Sequence, residues 1–197
     1  MNKNQRNYQK NIKNSFLIKT FIKLAFLLTA INANANAIPL KISTKNACNL
    51  LETHGLKANT SWQKMTSIAN NSNSWGCSNN NNTNSSAPIN FSFLASGDAK
   101  EVQNIEIKAE IKDNNFIRLA NKKLIDISED VSKNLVGLSI SNQLKEAINN
   151  GEDLSQQVGQ LFIKFTQEKI SGQKNGLVMI FKISTVSDLA VKNNNLQ

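Results

Sequence analysis

The stretch that decides the fold is 113-DNNFIRLANKKLIDISEDVSKNL-135. At 100° per residue, Phe116, Ile117, Ala120, Leu124, Ile127 and Val131 fall within one arc, while Arg118, Lys122, Glu129 and Lys133 fall on the opposite side. This pattern predicts one long amphipathic helix over Asp113–Leu135, capped by Asp113 or Asn114, with Glu129 and Lys133 as a favourable i,i+4 pair. Leu119 and Ile125 fall outside the core arc. Ile125 is expected to meet a second, shorter helix at about Ser141–Asn149, near Leu144 or Ile148, which Asn150-Gly151 stops.

Outward from this helix the period changes to two. Ile89, Phe91 and Phe93 alternate with Asn90 and Ser92, and Ile105, Ile107, Ala109 and Ile111 alternate with Glu106, Lys108, Glu110 and Lys112. Four strand-like segments result: Ile89–Ser96, Val102–Ile111, Gln160–Lys169 and Leu177–Thr185. Hairpin, helix, helix, hairpin over 89–185 predicts an α+β fold. The expected sheet is antiparallel, of about four to five strands, with a two-helix layer on one face. The second hairpin is more apolar on both faces than the first. Phe162, Val178 and Ile180 point to the face that Ile105–Lys112 keeps polar, so that patch is either covered or a partner site.

The chain begins differently. Residues 1–23 hold Lys3, Arg6, Lys10, Lys13, Lys19 and Lys23 and no acid. The apolar run Leu24–Ile31 follows, then Ala33-Asn34-Ala35-Asn36-Ala37. A basic region, an apolar region and an Ala-x-Ala site make 1–37 a secretory signal peptide, cleaved after Ala35 or Ala37. No apolar run reaches the roughly twenty residues of a spanning helix, so no membrane span is expected after cleavage. The expected location is the periplasm or the extracellular space, and 38–197 reads as a single domain. The whole chain carries +9, but without 1–37 there remain 17 basic groups against 14 acids, about +3. That leaves no basic footprint for nucleic acid.

The exported part has two cysteines, Cys48 and Cys77, which in an oxidising compartment form one bridge. Closing a loop of that length is worth roughly 3.5 kcal/mol of chain entropy. The bridge staples an N-terminal lobe, 38–88: a short helix around Cys48 closed by His54-Gly55-Leu56, then Trp62 and Trp75. Two Cys and one His without a Cys-x-x-Cys give no metal site, and no cofactor motif is present. The polar run 78–86 reads as a surface linker, and 186–197 as a polar tail.

Catalytic constellations are missing from the pattern: no Gly-x-Ser-x-Gly, no His-Glu-x-x-His, no phosphate-binding glycine loop. His54 reads as part of a helix stop. Glu129-Asp130 and Glu152-Asp153 read as solvated carboxylates. The sequence therefore points to an exported, non-enzymatic module that binds another protein or a cell-envelope component. Its candidate contacts are Trp62, Trp75, Phe162, Val178 and Ile180. The alternatives are a small inhibitor or immunity protein, and a cell-wall glycan hydrolase working through two carboxylates.

Overall fold

A computed structural model describes residues 40–65, 74–79, 86–170 and 176–185. The expected signal segment 1–37, the tail 186–197 and most of the polar run lie outside the described residues.

The strands are β1 (Gln63–Lys64), β2 (Trp75–Ser78), β3 (Ile89–Gly97), β4 (Val102–Ile111), β5 (Leu154–Val158), β6 (Leu161–Lys169) and β7 (Leu177–Ser184). They form one antiparallel sheet in the order β1-β2-β3-β4-β7-β6-β5. The fold is α+β, as expected, but the sheet has seven strands rather than four or five. The three additional strands have physical reasons to escape a periodicity argument. β1 is two residues long. β2, Trp-Gly-Cys-Ser, is held by its neighbour, with Cys77 opposite Ala95. β5, Leu-Ser-Gln-Gln-Val, is mostly polar and is fixed by the two-residue turn Gly159-Gln160, which leads back into β6.

Asp113 opens the helical stretch, its carboxylate accepting from the Asn115 N–H at 2.9 Å. A 3-10 turn, Asn114–Phe116, leads into α2, Ile117–Val136, preceded in the chain by α1, Thr44–Asn49, and followed by α3, Asn142–Asn150. Ser141 caps α3 by accepting from Leu144 N–H, and Gly151 at φ 71° ends it. Ala120, Leu124, Ile127 and Val131 of α2 are fully buried, as are Leu144 and Ile148 of α3. They share one core with Ile105, Ile107, Ala109 and Ile111 of β4 and Phe181 and Ile183 of β7.

α2 and α3 are tied along one stripe of α2. The Asn121 side-chain amide donates to Asn149 O at 3.3 Å, and two turns further on Glu129 takes the ammonium of Lys145. Ile125 lies midway between these ties, half-buried against the core. Leu119 stays out, 58% exposed.

The disulfide joins Cys48 of α1 to Cys77 of β2, with Cα atoms 5.7 Å apart. Ser43 caps α1, accepting from the Asn46 N–H at 3.2 Å. Gly55 at φ 77° turns the chain so that Leu56 N–H reaches Leu51 O and Leu56 is buried. The polar run is less linker-like than its composition. Ser78 ends β2, and Asn79 is 1% exposed, exchanging bonds with Phe93: its N–H donates to Phe93 O and its Oδ1 accepts from Phe93 N–H. A buried amide that pairs with backbone continues the sheet where a hydrophobic pattern gives no sign of it.

Candidate functional site

The ionisable groups of the sequence are where chemistry would have to start. His54, the one histidine, ends the 3-10 turn Glu52–His54, and its Nε2 lies 2.7 Å from Asp130 Oδ2 on α2. The His54 side chain is 18% exposed and that of Asp130 53%. This pair ties the N-terminal lobe to α2. The neighbouring carboxylate, Glu129, points the other way. It is 16% exposed, binds the Lys145 ammonium of α3, and lies 3.6 Å from Lys133 on its own helix. The hydrogen bond from Lys145 holds the Glu129 carboxyl below its ordinary range, with Ser139, Lys145 and Lys133 adding to the effect against burial. Glu129 and Asp130 are therefore adjacent in sequence but held by different elements. The expectation of two solvated carboxylates fails for Glu129. Asp153, in turn, accepts from the Gln167 N–H at 2.9 Å. Among the described residues no group of three or more His, Cys, Asp or Glu is placed to hold a metal ion.

A second candidate is the sheet face that carries Glu106, Lys108 and Glu110. Register fixes what stands on it. Across β3, β4, β7 and β6 one row reads Leu94, Glu106, Lys182, Lys164. The next reads Ser92, Lys108, Ile180, Thr166, and the next Asn90, Glu110, Val178, Glu168. These side chains are half-buried, apart from the exposed Glu168, whereas the alternate residues of β4 are fully buried. Three acids and three lysines share the face, so it carries no net charge.

Val178 and Ile180 stand together on β7. Phe162, expected beside them, is opposite Ser184 and Gln157, on the far side of the Lys164–Lys182 row. The patch read as one is thus two apolar spots separated by a pair of lysines. The disulfide does not stand on their face. Cys77 is opposite Ala95, and Ala95 opposite Ile105, which puts the bridge on the buried face. Leu94 adds a fourth apolar side chain to this face. The sequence marks it only as an apolar residue at an outward position of the Phe91–Phe93 alternation.

The tryptophans belong to the other side. Trp75 sits two residues from Cys77 on β2 and shares its face, half-buried, opposite Lys64 and Gly97. Trp62 packs against the core, and its ring N–H donates to Asp98 O at 3.1 Å. With Cys48, Asn49, Asn59 and Thr60 it borders an open depression of about 470 Å³. The five candidate contacts therefore do not converge. Trp62 and Trp75 flank the disulfide, Val178 and Ile180 occupy the centre of the open face, and Phe162 lies toward its β5 edge.

No protein-family model matches the chain, and neither the curated proteins nor the solved structures contain a match.

Proposed function

We propose that the chain is an exported, non-enzymatic binding module that engages another protein or a cell-envelope component through the open face of its sheet. The observation that carries this reading is the contrast between the two faces. Taking α2 and α3 as a layer over one face, the other keeps Leu94, Val178, Ile180 and Phe162 half-exposed among balanced charges. An apolar set with a polar surround is the usual make-up of a contact surface. The Cys48–Cys77 bridge supports an oxidising compartment, in keeping with the signal-like segment 1–37, cleaved after Ala35 or Ala37. No helix among the described residues is long and apolar enough to cross a membrane.

The placement of the carboxylates supports the non-catalytic reading over glycan hydrolysis. A glycosidase needs one carboxyl raised to serve as acid and a second facing it across the scissile bond. Glu129 is instead held low by Lys145, and Asp130 faces His54. A small inhibitor or immunity protein is one form the proposed module could take, since such a protein also acts by covering a partner.

The test is affinity capture with a variant matched to its surroundings. Val178 stands between Glu110 and Glu168, and Ile180 between Lys108 and Thr166. Val178→Lys with Ile180→Glu removes the apolar pair while giving each new charge an opposite neighbour. A partner retained by the wild type and lost by this variant at unchanged melting temperature supports the proposal. Turnover of a cell-wall glycan that disappears on carboxylate substitution overturns it.

A further inference from the structure

The two edges of the sheet are unlike. β1 is two residues long, too short to template another strand. β5 runs five residues, Leu154-Ser155-Gln156-Gln157-Val158, and among the described residues pairs only with β6. Natural sheets protect such edges with lysine, proline, bulges or brevity. β5 has no charge and no proline, and its pairing with β6 runs without a register shift.

We propose that this edge is a self-pairing interface: two copies of the chain join β5 to β5, antiparallel, about a two-fold axis perpendicular to the sheet. Pleat parity limits the register. Directly opposed residues must lie on the same face, so the axis must pass through a residue and not between two. Centring on Gln156 uses all five residues. Leu154 then meets Val158 of the second copy, Ser155 meets Gln157, and Gln156 meets itself. Leu154 and Val158 are half-buried and pack against the core, so their contact would extend the apolar layer of each copy into the other. Ser155 and Gln157 are exposed, on the same face as Lys164 and Phe162, their partners on β6.

The flanks agree with this register. Asp153 would face Gly159 and Glu152 would face Gln160, so the acids at one end of the strand never oppose each other. An isologous contact of this kind closes on itself and stops at two copies. A five-residue ladder is small beside interfaces of about 1,200–2,000 Å², which places the association among weak, concentration-dependent ones.

Opposed Cβ atoms in such a ladder lie about 4.5–5.5 Å apart, close enough for charge to decide pairing. Ser155→Glu with Gln157→Glu places like charges opposite each other twice across the two-fold. Ser155→Glu with Gln157→Lys places opposite charges there twice, and in both variants the carboxylate introduced at position 155 sits beside Lys164 within its own chain. Both positions are exposed, so melting temperatures of the two variants are the control for folding. Sedimentation velocity over a concentration series should show a monomer–dimer equilibrium for the wild type. The doubly acidic variant should weaken it about tenfold or more, and the variant of mixed charge should restore it with a new dependence on salt. A wild type that stays monomeric throughout, or two variants that associate alike, would overturn the proposal.

Discussion

Removing the disulfide, by Cys48→Ala with Cys77→Ala or by reduction, separates α1 from the sheet. The bridge closes a loop spanning 29 positions, which by chain entropy is worth about 3.5 kcal/mol. For a domain of roughly this size each kcal/mol moves the melting temperature by about 2–4 °C, so the expected drop is about 7–14 °C. The structure also says where the loss should appear. α1 is six residues long, far below the length at which a helix stands alone in water. The part of the lobe around α1 is also held by Leu40 N–H to Val102 O, by the buried Leu51 and Leu56, and by the His54–Asp130 pair. Hydrogen exchange should therefore show early loss of protection over Leu40–His54, with β4, β6 and β7 still protected. A melting temperature within about 2 °C of the oxidised protein, the low end of one kcal/mol, or exchange that rises equally in β4 and α1, would refute this account of the staple.

Three further outcomes follow from particular contacts. Gly76→Ala should destabilise by about 1–3 kcal/mol in thermal or urea unfolding, although alanine is ordinarily better than glycine in a strand, because the added Cβ would run into the Ala95 carbonyl oxygen of the adjacent strand. Glu129→Gln should cost about 1.5–3 kcal/mol at neutral pH, because it removes the charge that Lys145 binds. Since the folded protein lowers the Glu129 pKa, that contribution is complete above the unfolded carboxylate value of about 4.3 and fades as pH falls through the folded value. Melting curves of wild type and E129Q should accordingly converge on acidification. A double-mutant cycle on His54→Ala and Asp130→Asn should give a coupling of about 0.2–1 kcal/mol at neutral pH, the small value expected where one partner is half-exposed.

Much of the fold was legible because its central elements carry their own periods. The alternation at Val102–Ile111 and the helical stripe at Phe116–Val131 each mark one face for burial, and the structure uses those faces. Asp113, Gly55 and Gly151 were readable as caps and stops because their chemistry is local. What escaped was decided at a distance. β2 exists because Trp75–Ser78 find backbone partners on β3, which Asn79 extends, and four residues followed by a run of serine and asparagine carry no alternation that would reveal it. β5 is positioned by a two-residue turn and by β6. The candidate site was legible in composition and not in layout. Alternation alone put Phe162, Val178 and Ile180 on one face, but only the register of β6 against β7 separates Phe162 from the other two by the Lys164–Lys182 row. Glu129 and Asp130 looked alike as neighbours on a solvated stripe, whereas their partners, Lys145 and His54, come from either side of α2 in the chain.

The central claim, that the open face of the sheet is where this protein meets its partner, is tested most directly by site-specific photo-crosslinking in the cell that produces it. A photoreactive residue at position 180 sits at the centre of that face. One at position 119, exposed on α2, serves as the control. A discrete adduct from position 180 and none from 119 is the expected result. No adduct from 180, or the same adduct from 119, would contradict it.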